Sequence, residues 1–268
     1  MMHVIITGGS SGIGAAVAEL EAARGHRISV IARRQDLMTQ QRTRLLDLFP
    51  QALIHICAAD VTDEVGLMAA IESCEDKIGP CDRLITAAGI VEPGELITQP
   101  VASFRSQVEC NLFGTVHAVR AVYPSMVKRQ SGQIVLISSG AGLIGIHGYS
   151  AYCASKHALA GFAEALRQEA RPNGIAVSIC FPPDTDTPQL AAELPLRSPA
   201  ATAIVGMARS WPADRVARAI VKGADHGRFE IYPGLEMALL GRFGALIAPL
   251  LRWHFDRKIA ASATKSGR

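Results

Sequence analysis

The sequence is poor in aromatic residues, has no large excess of charge and shows no close cysteine pairs. Aromatic residues make up 5% of its 268 residues, and the formal net charge is only +3. A nucleic-acid-binding domain would show a basic stripe, and none stands out, so we expect no nucleic-acid partner. No apolar run reaches the roughly 18 uncharged residues typical of a spanning helix. A predicted strand begins at His3, which leaves no room for a signal peptide.

The six cysteines are scattered along the chain, and no two form a Cys-x-x-Cys pair. Metal and redox motifs use such close pairs, so we expect no metal site. Several cysteines lie inside apolar runs, as is typical of small core residues in a reducing compartment. These features predict a cytoplasmic protein, with peripheral attachment to the cytoplasmic face of a membrane as an open alternative.

Short apolar segments alternate with longer helical patterns along the chain. Hydrophobic residues make up 49% of the sequence, and most strand-like runs are continuously apolar, as in parallel strands covered on both faces. The predicted fold is α/β, a Rossmann-like doubly wound parallel sheet of about seven strands with helices on both faces. The predicted strands are His3–Thr7, Arg27–Ala32, Leu53–Ala58, Leu84–Ala87, Gln133–Ser138, Ile175–Phe181 and Arg228–Tyr232, and the clearest helices are Gly14–Arg24, Gln99–Arg129 and Ala151–Ala170.

A glycine-rich segment joins the first strand to the first helix. Its glycines permit a tight turn, and the helix N-terminus behind it favours a bound phosphate. The spacing T-G-x-x-x-G-x-G resembles the short-chain dehydrogenase/reductase family. The predicted cofactor contacts of this loop are Gly8, Ser10, Ser11, Gly12, Ile13 and Gly14.

The second strand ends at Arg33 and Arg34, where an NAD site would usually place an acidic residue. Two arginines suit the 2′-phosphate of NADP instead. The family resemblance implies that Asp60 and Val61 hold the adenine ring, although Asp60 alone could also be a helix cap. It further implies cofactor contacts from Ala88 and Gly89 after the fourth strand.

Tyr152 and Lys156 form a Tyr-x-x-x-Lys pair, whose spacing places both on one helix face. A nearby ammonium would lower the high pKa of the tyrosine and prepare it for proton exchange with a carbonyl oxygen. Ser139, thirteen residues before Tyr152, can hold the same oxygen, and Ser138 is a less well spaced alternative. The resemblance implies that Asn111 supports a water and proton relay.

The segment after the sixth strand reads Pro-Pro-Asp-Thr-Asp-Thr-Pro at 182–188. It is similar to the 3-ketodihydrosphingosine reductase branch of the same superfamily, and so are the stretches 8–12 and 211–229. The resemblance implies cofactor contacts from Pro182, Thr185 and Thr187, together with a lipid-like, long-chain keto substrate. The alternative is that the proline-rich loop is only a stiff cofactor lid.

Taken together, these residues predict an NADPH-dependent reductase of the C3 ketone of a long-chain 3-keto sphingoid base. The alternatives are reduction of 3-oxoacyl thioesters or steroids, and an idle NADP-binding scaffold. Residues 1–234 are predicted to form the catalytic domain, and residues 235–268 a C-terminal amphipathic helix and a frayed tail.

The last helix has an apolar stripe formed by Leu239, Phe243, Leu246, Leu250 and Trp253, with flanking arginines. Residues 235–255 could lie at a membrane interface, and a core or subunit-packing helix explains the pattern equally well. The family resemblance of helices 99–129 and 151–170 implies a homodimer or homotetramer.

Overall fold

A computed structural model describes the backbone of residues 1–205 and 210–266, and side chains as far as residue 261. Within those ranges the strands are β1 (His3–Thr7), β2 (Arg27–Ala32), β3 (Ile54–Ala58), β4 (Arg83–Thr86), β5 (Gly132–Ile137), β6 (Ile175–Cys180), β7 (Thr185–Asp186), β8 (Trp211–Pro212) and β9 (Glu230–Ile231). The helices are α1 (Gly12–Ala23), α2 (Gln35–Leu48), α3 (Glu64–Ile78), α4 (Val101–Val108), α5 (Gly114–Arg129), α6 (Ser150–Ala170), α7 (Pro188–Glu193), α8 (Pro199–Val205), α9 (Ala213–Asp225) and α10 (Leu235–Ser266).

Seven of these strands form one parallel sheet in the order β3-β2-β1-β4-β5-β6-β9. One apolar cluster packs α3, α5 and α6 against one face of the sheet. A second cluster packs α1, α2 and α9 against the other face. Helices therefore cover both faces of the parallel sheet, which confirms the predicted doubly wound fold. This arrangement also explains why the strands carry apolar side chains on both faces.

The strand order reverses between β1 and β4. In an open parallel sheet, the crevice outside the carboxyl ends at such a reversal is the usual ligand site. The loops after β1, β4 and β5 all leave the sheet at this edge, so the glycine loop and the segment that carries Ser139 come together here.

Two helices differ from the sequence expectation. The stretch predicted as one helix over Gln99–Arg129 contains a π-helical turn, Glu109–Phe113, between α4 and α5, and such turns often occur where a side chain is positioned for function. The predicted frayed tail after Lys258 was wrong for residues 259–266, since α10 continues to Ser266, and the last two residues of the tail lie outside the described part of the chain. Alanines such as Ala260 and Ala261 favour this continuation.

Candidate active site

A cavity of about 390 Å³ opens at the carboxyl edge of the sheet. One end is lined by the glycine loop and by Arg33 and Arg34, and Tyr152 and Lys156 lie further along its wall. Residues from several parts of the stretch 182–205, among them Asp184, Glu193 and Val205, and from the first turns of α10 also line it. Its volume falls within the range of small-molecule sites, and its wall brings the glycine loop and the Tyr152–Lys156 pair to one place.

The glycine loop forms a cradle that side chains would fill. Gly8 has φ +72°, and a Cβ there would come within 2.5 Å of the backbone nitrogen of Ala88. Gly12 has φ +55°, and a Cβ on Gly14 would meet the carbonyl oxygen of Gly8 at 2.5 Å. The glycines thus keep backbone N–H groups and the N-terminus of α1 open to the cavity, which fits a pyrophosphate.

Arg33 and Arg34 follow β2 and are both exposed at the cavity wall. An Nη1 nitrogen of Arg33 lies 3.7 Å from Oδ2 of Asp60, while Oδ1 of Asp60 accepts hydrogen bonds from the backbone N–H and the hydroxyl of Thr62. The N-cap of α3 is Asp63, not Asp60. Asp60 therefore closes a turn and restrains Arg33, while Val61 next to it lines the cavity.

Ser139 and Tyr152 come together at the cavity wall. A hydrogen bond with Ser139 lowers the pKa of Tyr152, but burial has the larger effect and raises that pKa above its ordinary value. The sequence-based expectation of a lowered pKa was wrong, because burial disfavours the phenolate more strongly than neighbouring groups favour it. The phenol consequently keeps its proton at neutral pH, as a proton donor must.

Ser138, the alternative to Ser139, uses its hydroxyl in a structural hydrogen bond. The hydroxyl of Ser138 is buried and donates to the backbone carbonyl of Lys156 at 3.0 Å. Oγ of Ser139 accepts a bond from the backbone N–H of Ala141 at 3.2 Å and faces the cavity. The geometry thus favours Ser139 over Ser138 as the hydroxyl beside Tyr152.

The ammonium of Lys156 lies 5.7 Å from the ring centre of Tyr152 and donates to the carbonyl of Ile137 at 3.1 Å. Burial lowers the pKa of Lys156 to about 8. A Cβ on Gly89 would lie 3.0 Å from Oδ1 of Asn111 and 3.5 Å from this ammonium, so Gly89 lies directly beside both groups. The ammonium of Lys156 therefore lies near Tyr152 and loses its charge as the pH rises through about 8.

Asn111 lies fully buried in the π-helical turn. Its Oδ1 accepts from the backbone N–H of Ile90 at 2.8 Å, and its Nδ2 donates to the carbonyl of Ile90 at 2.9 Å and to Oγ of Ser155 at 3.0 Å. The side chain therefore ties the loop after β4 to the helix that carries Tyr152. It does not line the cavity itself.

The structure brings most of the predicted site residues to one cavity. Asp60 and Asn111 are the two that do not line it. The predicted residues on its wall are Gly8, Ser10, Ser11, Gly12, Ile13, Gly14, Arg33, Arg34, Val61, Ala88, Gly89, Ser139, Tyr152, Lys156, Pro182, Thr185 and Thr187.

A charged cluster on the cavity wall was not predicted from the sequence. The side chain of Arg197 is only 6% exposed and pairs with Asp184 at 2.8 Å and with Glu193 at 2.7 Å. Its Nε also donates to the hydroxyl of Tyr149 at 3.2 Å, and that hydroxyl donates to Glu193 at 2.6 Å. The cluster joins the segment after β6 to the start of α6, and no local sequence pattern marks it.

Comparison with known proteins identifies the family of the chain. Residues 2–195 match the family model for short chain dehydrogenases. The chain belongs to the short chain dehydrogenase family. This short chain dehydrogenase is 34% identical over 252 residues to the 3-ketodihydrosphingosine reductase of Bos taurus, with 92% of the chain and 76% of the relative covered. It is 35% identical to the 3-dehydrosphinganine reductase of Danio rerio, with the same two coverages.

Solved structures place this short chain dehydrogenase among reductases. Levodione reductase matches it with a TM-score of 0.81 at 25% identity, covering 88% of this chain and 98% of the other. A variant actinorhodin polyketide ketoreductase determined with NADPH also gives a TM-score of 0.81 at 25% identity, covering 90% and 97%. The protein is thus an oxidoreductase of this family that uses a nicotinamide cofactor.

Proposed function

We propose that the protein is an NADPH-dependent reductase that converts the C3 ketone of a long-chain 3-keto sphingoid base to a hydroxyl group. The observation that carries the proposal is similarity over 92% of the chain to 3-ketodihydrosphingosine reductases of several species. The cavity supports it, because Ser139 and Tyr152 lie on the same wall as the glycine cradle.

The glycine loop would hold a nicotinamide cofactor whose hydride would go to the carbonyl carbon of the substrate. Tyr152 donates its phenolic proton to the carbonyl oxygen, and Ser139 holds that oxygen by a hydrogen bond. The charge of Lys156 stabilises the negative charge that Tyr152 acquires when it loses the proton. Asn111 positions these groups by fixing the loop at Ile90 to α6, and we assign it a positioning role rather than a part in proton transfer.

We further propose that the cofactor is NADPH rather than NADH. Arg33 and Arg34 follow β2 at the cavity wall, where an NAD site usually has an acidic side chain. A guanidinium forms strong, charge-assisted hydrogen bonds to phosphate. The remaining residues proposed to hold the cofactor are Gly8, Ser10, Ser11, Gly12, Ile13, Gly14, Asp60, Val61, Ala88, Gly89, Tyr152, Lys156, Pro182, Thr185 and Thr187.

We propose that residues 1–234 form the catalytic domain and that the C-terminal helix over 235–255 contacts a membrane surface beside it. Glu236, Met237 and Leu240 line the cavity, whereas the predicted stripe faces outward. Leu246 and Leu250 are 78% and 70% exposed. Such an exposed apolar stripe suits the headgroup region of a bilayer. Among the described residues, no helix is both long and apolar enough to span a membrane.

The oligomeric proposal is a homodimer or homotetramer that pairs α4, α5 and α6 of neighbouring copies. Half-exposed Phe113, at the end of the π-helical turn, supports a contact on this side, since a large exposed apolar side chain is more stable when covered. Light scattering on the purified protein would give the assembly size directly.

A substrate panel tests the proposed function. The protein is incubated with NADPH and, separately, 3-ketosphinganine, a 3-oxoacyl thioester and a steroid ketone. The proposal expects the highest kcat/KM with 3-ketosphinganine. A preference for either of the other ketones would assign the protein to a different reductase of the same fold, and no turnover of any ketone would support a binding scaffold.

A further inference from the structure

Among the residues that the structure describes, the substrate side of the cavity carries more acidic than basic side chains. Asp184, Glu193 and Glu236 line this side, and Arg197 is the basic side chain among them. The other cationic groups on the cavity wall, Arg33, Arg34 and Lys156, belong to the proposed cofactor and reaction sites. Among these described side chains one guanidinium is shared by two carboxylates, so their summed charge is negative on the side where the proposed substrate would lie.

Two hydrogen bonds fix the carboxylate of Glu193 among these acidic side chains. Its Oε1 accepts two hydrogen bonds, one from the hydroxyl of Tyr149 at 2.6 Å and one from Arg197 at 2.7 Å. Among the described residues, none donates a hydrogen bond to its Oε2, although the side chain is only 11% exposed and lines the cavity. This oxygen is not among the fully buried, unpaired side-chain atoms of the described residues, and Glu193 lines the cavity, so Oε2 can accept a hydrogen bond from a cationic ligand there.

Glu193 also lies close to the reaction centre. Its hydrogen-bond partner Tyr149 packs edge-on against Tyr152, with ring centres 6.4 Å apart. The charge of Glu193 is near enough to raise the pKa of Tyr152 further. A group bound by Glu193 would therefore lie on the same side of the cavity as Tyr149 and its neighbour Tyr152.

A 3-keto sphingoid base carries an amino group on C2, the carbon next to the ketone. We propose that Glu193, assisted by Asp184, binds the C2 ammonium of the substrate and so selects amino ketones over neutral ketones. This inference rests on the proposed function, because it uses the chemistry of that substrate. Arg197 and Tyr149 position the carboxylate, and the ammonium supplies the missing counter-charge and hydrogen-bond donors.

The alternative role of the cluster is purely structural. Arg197 could simply tie the segment after β6 to α6, and the loss of Glu193 would then impair reduction of every substrate equally. Glu193→Gln separates the two roles, since the amide oxygen can still accept from Tyr149 and Arg197 while the negative charge is removed.

The test compares kcat/KM for 3-ketosphinganine with that for its analogue bearing hydrogen in place of the C2 amine. We expect the ratio of the two values to fall about tenfold or more in Glu193→Gln, as for loss of a charged hydrogen bond. The matched control is Asp186→Asn, which removes an equal charge from an exposed neighbour outside the cavity wall and should leave the ratio unchanged. An unchanged ratio in Glu193→Gln would overturn the inference.

A second measurement keeps this inference distinct from the proposed function. A long-chain alkylamine and a long-chain alcohol are compared as inhibitors while the protein reduces a neutral ketone. The wild-type protein should bind the amine more tightly, and Glu193→Gln should lose that difference. If the wild-type protein fails to reduce 3-ketosphinganine, the proposed function is wrong, yet the amine preference still decides the role of Glu193. Equal inhibition by amine and alcohol in the wild-type protein would contradict an ammonium site.

Discussion

The side-chain amide of Asn111 donates a 3.0 Å hydrogen bond to the hydroxyl of Ser155, one turn from Tyr152 on the same helix. The same hydroxyl donates to the backbone carbonyl of Tyr152 at 2.8 Å. A chain of hydrogen bonds thus runs from the π-helical turn to the residue proposed to be the acid. Because Asn111 is fully buried, its bonds cannot be replaced readily by bonds to bulk water.

Asn111→Ala should weaken both stability and turnover. Removing the amide leaves the N–H and carbonyl of Ile90 and the hydroxyl of Ser155 short of partners, which we expect to cost about 1–3 kcal/mol of unfolding free energy. The value of kcat should fall, with little change in the Kd for NADPH. Denaturant unfolding and steady-state kinetics would measure these effects. Ser155→Ala, which removes fewer bonds, is the milder control. An unaltered kcat in Asn111→Ala would contradict the positioning role.

The lowered pKa of Lys156 predicts a loss of reductase activity in mild alkali. Free lysine keeps its charge to about pH 10, whereas burial lowers the pKa of Lys156 to about 8. The ammonium is therefore present below about pH 8 and is lost above it, while Tyr152, with its raised pKa, stays protonated. We expect kcat to fall as the pH rises through about 8.

Lys156→Arg is the control for this pH profile, because arginine stays charged throughout the range. The variant should be slower overall but should not show the alkaline fall near pH 8. The same fall in both proteins would assign the titration to another group.

Cofactor preference should depend on Arg33. Arg33→Ala removes a cation from the cavity wall and should raise the KM for NADPH about tenfold or more, while the KM for NADH changes little. Arg44→Ala is a suitable control, since Arg44 is equally exposed but pairs with Glu19 away from this cavity. If the KM rises equally for both cofactors, Arg33 does not contact a 2′-phosphate.

The outward stripe of α10 predicts membrane binding. Leu246→Glu with Leu250→Glu places two charges on exposed positions, so the fold should survive. Liposome co-sedimentation should be lost, and reduction of a long-chain ketone should fall while that of a short, soluble ketone is spared, because burial of the alkyl chain favours lipid by about 0.8 kcal/mol per CH₂.

A matched double variant, Val65→Glu with Leu48→Glu, changes exposed apolar residues elsewhere on the surface. It should retain liposome binding. If the α10 variant instead loses its oligomer and both activities fall together, then the stripe is a subunit-packing surface.

The sequence was most informative where function depends on short, local patterns. The glycine loop and the Tyr152–Lys156 pair are each formed by neighbouring residues. Short β-rich runs, most of them continuously apolar, marked all seven strands of the main sheet, although the ends of several differ by one or two residues. The charged cluster was missed because Tyr149 and Arg197 lie 48 residues apart, and only the fold brings them together. The pKa of Tyr152 was wrongly predicted for a related reason, since burial depends on the whole of the surrounding structure.

The most direct test of the central claim is the steady-state reduction of 3-ketosphinganine by the wild-type protein with NADPH and with NADH, alongside Tyr152→Phe. That variant keeps the ring and removes the proton donor, so kcat should fall on the order of 100-fold or more while NADPH still binds. We expect that sphinganine forms, that kcat/KM is higher with NADPH than with NADH, and that the variant is nearly inactive. Failure of the wild-type protein to form sphinganine, or near-normal turnover by Tyr152→Phe, would contradict it.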